Sequence, residues 1–143
     1  MELAKTLYDK TIFLDTAPLI YFMEEKGSFV PVLNDLFLPS NKCRFITSVI
    51  TLSEVLVMPL REGKMHLAEQ YIEILTMSEN INIFDVNIEI ARETAKIRAD
   101  YAIKTPDAIQ LATAKYGSVN YFLTNDSRLK TFKELNIITL SDL

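Results

Sequence analysis

With 143 residues, 49 % of them hydrophobic and 24 % charged, the chain suits one globular domain with a full two- or three-layer core. A net charge of −4 counts against a protein that coats nucleic acid through bulk charge, but leaves room for an enzyme that grips a few phosphates locally. A single cysteine, Cys43, and a single histidine, His66, exclude an internal disulfide, a cysteine-based zinc site and a histidine-pair metal site.

Residues 1–10 read as a short helical lead-in, with charges spaced through MELAKTLYDK and no apolar core of a signal peptide. Thr11–Leu14 (TIFL) reads as a buried strand closed by Asp15. Thr16, Ala17 and Pro18 turn the chain into a short helix over Leu19–Glu24, and a second helix covers Val30–Leu38 before Pro39. Arg44–Thr47 forms the second strand. Ser48 then caps a helix carrying Ile50, Leu52, Val55 and Leu56, with Glu54 in its middle and Pro59 as its stop or kink. Met65–Met77 is amphipathic, with Leu67, Tyr71, Ile74 and Leu75 on its buried side.

Ile81–Val86 is the third strand, and Asn87 caps a helix reaching Tyr101. Thr105 at the N-cap and Pro106 at the first helical position open a helix that ends at Gly117. Asn120–Thr124 is the fourth strand, a helical turn covers Arg128–Leu135, and Ile137–Leu140 is the last strand. Strands alternating with helices imply an α/β fold, a parallel sheet with helices on both faces. No linker, repeat or second domain interrupts residues 1–143, and no apolar run reaches the length of a bilayer span. The expected location is the cytoplasm.

Three acids fall where such a sheet gathers ligands, beyond the carboxyl ends of strands. Asp15 ends the first strand, Asp126 follows the fourth, and Asp107 lies in the first turn of the helix after Thr105. Glu54 is a fourth, sharing a helix face with Ile50 and Thr51 and so directed toward apolar company. Singly, each has a plainer use: Asp15 and Asp126 as helix caps, Asp107 as a partner of the helix dipole, Glu54 as a surface acid. Clustered, four carboxylates repel one another unless a cation neutralises them. A hard-oxygen set without histidine or cysteine suits Mg²⁺ or Mn²⁺, ions able to activate water for phosphodiester cleavage. Arg61, Lys64, Arg128 and Lys130 are candidate phosphate contacts, although each also fits an ordinary solvated charge.

Four segments together, FLDTAPLIYF, TSVITLSEVL, TPDAIQLATA and FLTNDSRL, resemble the PIN-domain family of small metal-dependent ribonucleases, which includes VapC-type toxins. The resemblance covers nearly the whole chain from Ile12. It implies a three-layer α/β/α fold with a central, mainly parallel sheet of about five strands. It also implies an acidic pocket of Asp15, Glu54, Asp107 and Asp126, with Thr16, Thr124 and Asn125 as polar supports. The implied activity is a Mg²⁺- or Mn²⁺-dependent endoribonuclease, with an RNA substrate and an antitoxin as possible protein partner. A homodimer is implied as well, and Leu19, Ile20, Phe22 and Phe29 are apolar residues available for pairing.

The ten residues before the first strand and the acidic overall charge depart from the family's commonest pattern. The alternative is a PIN-like module that binds RNA or protein without cutting. An aspartate-nucleophile phosphotransferase would want a second Asp two residues after Asp15, where Ala17 stands.

Overall fold

The computed structural model describes residues 2–143. Five short strands form one parallel sheet: β1 (Thr11–Leu14), β2 (Arg44–Ser48), β3 (Ile81–Phe84), β4 (Tyr121–Thr124) and β5 (Ile137–Thr139). The described helices are α1 (Glu2–Thr6), α2 (Thr16–Glu24), α3 (Val30–Leu36), α4 (Val49–Arg61), α5 (Met65–Met77), α6 (Ile88–Asp100) and α7 (Thr105–Tyr116). The class is the expected three-layer α/β/α fold. The strand order, which alternation alone does not encode, is β3-β2-β1-β4-β5. The chain builds outward from β1 to β3, then returns to lay β4 on the other side of β1. That reversal makes β1/β4 a topological switch point, where open α/β sheets hold their ligands.

One compact unit joins the chain up to Phe45 with Val119–Leu143. Its strands β1 and β4 pair in register, Phe13 with Phe122 and Leu14 with Leu123, and β4 pairs with β5 through Leu123 and Ile138. Ile12, Phe13, Leu14, Phe122 and Leu123 are all fully buried, as strands covered on both faces require. The Phe13 and Phe122 rings stack at 4.9 Å. Phe37 lies between Phe22 and Phe45, at 4.0 and 4.3 Å. Leu19 belongs to this core, so only Ile20, Phe22 and Phe29, all half-buried, remain of the apolar set considered for pairing.

The lead-in is tied down rather than loose. Ala4 and Leu7 are fully buried, Tyr8 donates its hydroxyl to Asp35, and the Cys43 thiol donates to the Leu7 carbonyl at 3.3 Å. Donation to Asp35, first, and then desolvation hold the Tyr8 phenol above its usual range, while burial pushes the Cys43 thiol up.

Helix α2 starts three residues earlier than the sequence suggested. Asp15 already serves as its N-cap, and Pro18 falls in the first turn, where the missing N–H has no intrahelical partner to lose. Helix α3 stops at Leu36, and Pro39–Asn41 form a 3-10 turn. The turn expected over 128–135 is a 3-10 turn at Ser127–Thr131.

The other compact unit is Ile46–Ser118. Ser48 caps α4 as expected, accepting from the Ile50 N–H at 3.1 Å. Pro59 does not stop that helix, which runs on to Arg61. Proline deletes one bond, to the Val55 carbonyl, while the Glu62 N–H still reaches Met58 at 2.9 Å. The buried residues of α4 are Thr51, Val55 and Pro59, whereas Ile50, Leu52 and Leu56 are half-buried. Helix α5 buries Ala68, Tyr71 and Leu75, and α6 opens on Asn87, which accepts from Ile90 N–H at 2.8 Å. Helix α7 buries Leu111 together with Ala108, Ala112 and Ala114, the three alanines being small enough to permit close packing. No described helix is long and apolar enough to cross a membrane.

The edge strand β5 ends in a reciprocal cap: the Asp142 carboxylate accepts from Thr139 N–H at 2.9 Å and pairs with Lys130 at 2.6 Å. Lys130, first, and the Thr139 amide hold the Asp142 carboxyl below its ordinary 3.8. A depressed folded-state pKa stabilises the protein above the unfolded value and loses that contribution as pH falls through the folded one. Asp142→Asn should therefore lower the urea midpoint at neutral pH. The gap from the parent should close as pH falls below 3.8. A gap that persists undiminished in acid would show that Asp142 acts through shape, not charge.

Candidate active site

The register of β1 with β4 sets the first half of the site. Since Leu14 lies opposite Leu123, the next residues, Asp15 and Thr124, emerge level at the carboxyl edge of the switch point. The Asp15 backbone N–H reaches the Leu123 carbonyl at 3.0 Å, continuing the ladder one step past β1. Its side chain is then held from two sides. Oδ1 accepts from the Thr16 N–H at 2.9 Å, and Oδ2 accepts from the fully buried Thr124 hydroxyl at 2.7 Å. That hydroxyl in turn accepts from the Asp126 N–H at 3.1 Å. The donors form one chain, Asp126 N–H to Thr124 O–H to Asp15 carboxylate, so the position of one acid fixes that of the other.

Asp126 caps the Ser127–Thr131 turn. Its Oδ1 accepts from the Arg128 N–H and Nε–H, both at 3.0 Å, and its Oδ2 accepts from Nη2 at 2.8 Å. The Arg128 guanidinium beside it holds the Asp126 carboxyl below the usual carboxylate range, against an opposing push from partial burial. The ionised form is thus favoured at any ordinary pH. Arg128 itself is 84 % exposed, so the ion pair is screened by water and is modest as a source of stability. Asn125 donates to the Tyr21 hydroxyl at 3.2 Å, and Thr16 is the first residue of α2.

Asp107 and Glu54 belong to the other unit. Asp107 is the third residue of α7, half-buried in the first turn. The N-cap is Lys104 and not Thr105, because the first helical bond runs from Ala108 N–H to the Lys104 carbonyl. Asp107 still sits in the first turn, at the positive end of the helix. Glu54 lies mid-helix in α4 and is exposed, not turned toward apolar company as its spacing from Ile50 and Thr51 suggested. The burial stripe of α4 passes through Thr51 and Val55, which leaves Glu54 on its flank.

Of the basic candidates, Arg128 is drawn onto Asp126 and Lys130 onto Asp142. Lys64 lies 3.7 Å from Glu62, and Arg61, exposed at the end of α4, reaches the Met58 sulfur at 3.9 Å. Two contributors went unnoticed in the sequence: Tyr21, which meets Asn125, and Gln110, a buried amide on α7. Gln110 carried a signal, since a polar residue amid Ala108, Leu111 and Ala112 requires a partner.

Among the described residues, no three His, Cys, Asp or Glu side chains come together as a group that could hold a metal ion. The donor chemistry of the Asp15–Thr124–Asp126 corner nevertheless fits a hard divalent cation. It offers two carboxylates, one of them held firmly ionised, oriented by a hydroxyl and backbone amides.

A sequence profile of the PIN domain matches residues 12–135. The chain belongs to the PIN-domain family. No curated protein sequence matches it. Solved structures with the same fold include VapBC2 of Rickettsia felis bound to a promoter DNA fragment (TM-score 0.72, 16 % identity, 90 % of this chain and 98 % of that one). A toxin–antitoxin complex of Klebsiella pneumoniae follows at TM-score 0.68 and 25 % identity, covering 90 % of this chain and 97 % of that one. VapC20 of Mycobacterium tuberculosis, a Sarcin-Ricin loop cleaving toxin, aligns with TM-score 0.69 and 15 % identity over 85 % of this chain and 95 % of that one. The profile of this PIN domain begins within β1 and ends before β5, so α1 and the Asp142 cap lie outside it.

Proposed function

We propose that this PIN domain is a Mg²⁺- or Mn²⁺-dependent endoribonuclease that hydrolyses RNA phosphodiester bonds in the cytoplasm, as the toxin of a toxin–antitoxin pair. The observation that carries the reading is the hydrogen-bonded chain from Asp126 through Thr124 to Asp15 at the β1/β4 switch point. Asp15, Asp107 and Asp126 would hold the cation, with Glu54 completing the set or orienting the attacking water. A bound divalent ion supplies charge that lowers the pKa of water and steadies the leaving oxygen. Thr124 keeps the Asp15 carboxylate aimed, and the Thr16 amide keeps it from rotating. Arg128, long and exposed, can exchange its carboxylate partner for a substrate phosphate.

Cleavage of single-stranded RNA should require added Mg²⁺ or Mn²⁺ and cease in excess chelator. Full activity after metal removal, verified by elemental analysis, would overturn the reading. The active preparation is proposed to be a homodimer, paired through the half-buried Ile20, Phe22 and Phe29, which light scattering of the same sample reads directly.

A second reading rests on the Arg128 fork. A guanidinium occupying both Asp126 oxygens neutralises that acid without an ion, as a non-catalytic RNA- or protein-binding module would tolerate. RNA retained without cleavage by the metal-loaded protein would favour it.

A further inference from the structure

Gln110 is 1 % exposed on the packing face of α7, where an unpaired amide would carry a heavy desolvation cost. Both ends of that amide are used, and both reach the start of α4. Its Oε1 accepts from the Ser48 hydroxyl, and its Nε2 donates to the Thr51 hydroxyl at 2.6 Å. Ser48 is the N-cap of α4 and Thr51 its third residue, and both are fully buried. Apolar contact between two helices is non-directional and tolerates sliding or rotation. A two-pronged amide clip does not, because either motion would leave buried hydroxyls or amide atoms unpaired.

The clip stands one turn from an acid on each helix. Thr51 is three residues before Glu54, and Gln110 is three residues after Asp107, so each acid is one turn along its helix from a clip member, Glu54 on the exposed flank of the stripe through Thr51. We infer that Gln110 is a positioning residue: through Ser48 and Thr51 it fixes the register and rotation of α4 on α7, and thereby the separation of Glu54 from Asp107. The inference rests on the metal-site reading proposed above.

The test measures Mn²⁺ affinity by calorimetry and metal-free melting temperature for Gln110→Met, Thr51→Val and Thr51→Ser. Each is made in the parent and in a Glu54→Gln background. Thr51→Val is near-isosteric and removes only the hydroxyl, so it remains informative if Gln110→Met misfolds. Thr51→Ser keeps the hydroxyl and should retain parental affinity. Gln110→Met and Thr51→Val should weaken Mn²⁺ binding roughly tenfold or more, as loss of an outer partner of a metal site does. In the Glu54→Gln background the same substitutions should change affinity little, because the carboxylate they position is already gone.

Unchanged affinity in Thr51→Val, or an equal loss with and without Glu54, would overturn the inference and leave the clip a purely structural device. A parent protein that binds no Mn²⁺ would overturn the metal site itself, and the positioning role with it.

Discussion

Replacing Asp15, Asp107 or Asp126 by Asn should all but abolish RNA cleavage while leaving the metal-free protein folded. Asn retains an oxygen of the right size but not the charge that holds a divalent cation. Even outer-shell partners of a metal site are worth roughly 10–100-fold in affinity or activity, so a ligand should cost at least a hundredfold or so. The fold should tolerate the change because Asn caps helices about as well as Asp. In Asp15→Asn the new amide oxygen can still accept from the Thr16 N–H.

The three variants should differ in one respect. Asp126→Asn forfeits the charged fork from Arg128, so it should lose a little metal-free stability. Asp15→Asn should lose a little as well, since the buried Thr124 hydroxyl loses its acceptor, whereas Asp107→Asn should melt at or slightly above the parental temperature. Melting without metal, set beside cleavage of a labelled RNA, separates catalysis from capping. Folded variants cutting at the parental rate would remove these acids from the site.

The largest loss of stability should come from Phe122→Ala. Phe122 is fully buried on β4, between β1 and β5, and stacked on Phe13 of β1 at 4.9 Å and 3°. Truncating a buried aromatic costs about 3–5 kcal/mol, from lost transfer energy and the cavity left behind. In a protein of this length each kcal/mol moves the melting temperature by roughly 3–4 °C, so a drop of about 10 °C or more is expected. Phe122→Leu, which refills most of the space, should recover much of it. Thermal denaturation of the two variants decides the matter; equal melting of Phe122→Ala and parent would mean the β1/β4 pair is far looser than its burial implies.

Strands such as TIFL and YFLT were legible because residues buried on both faces must be apolar without interruption. Asn87 and Ser48 were legible as caps because a side-chain oxygen is the local answer to orphaned N–H groups. The helix starts at Thr16 and Thr105 were misread, by three residues and by one, since proline is accepted at several first-turn positions and does not mark one. Pro59 did not act as a stop for the converse reason: near a helix end it deletes a single bond and its ring can be buried.

Of the candidate site, the four proposed acids were visible as residues. What the sequence could not carry was their setting. The exposure of Glu54 depends on which stripe of α4 is buried, and the Thr124 bridge depends on the β1/β4 register. Both are properties of pairing between distant segments.

The Arg128 fork has a consequence for how such a protein comes into being. Asp126 carries its neutralising charge two residues away on the same chain, so this corner of the sheet does not wait for an ion before it can close. If the corner takes a cation as proposed, folding and metal loading are separate events, unlike in domains whose apo form is unfolded. A chain leaving the ribosome when free divalent ions are scarce would still reach its native shape. It would persist as a folded, ion-free reserve, with metal supply governing activity instead of survival.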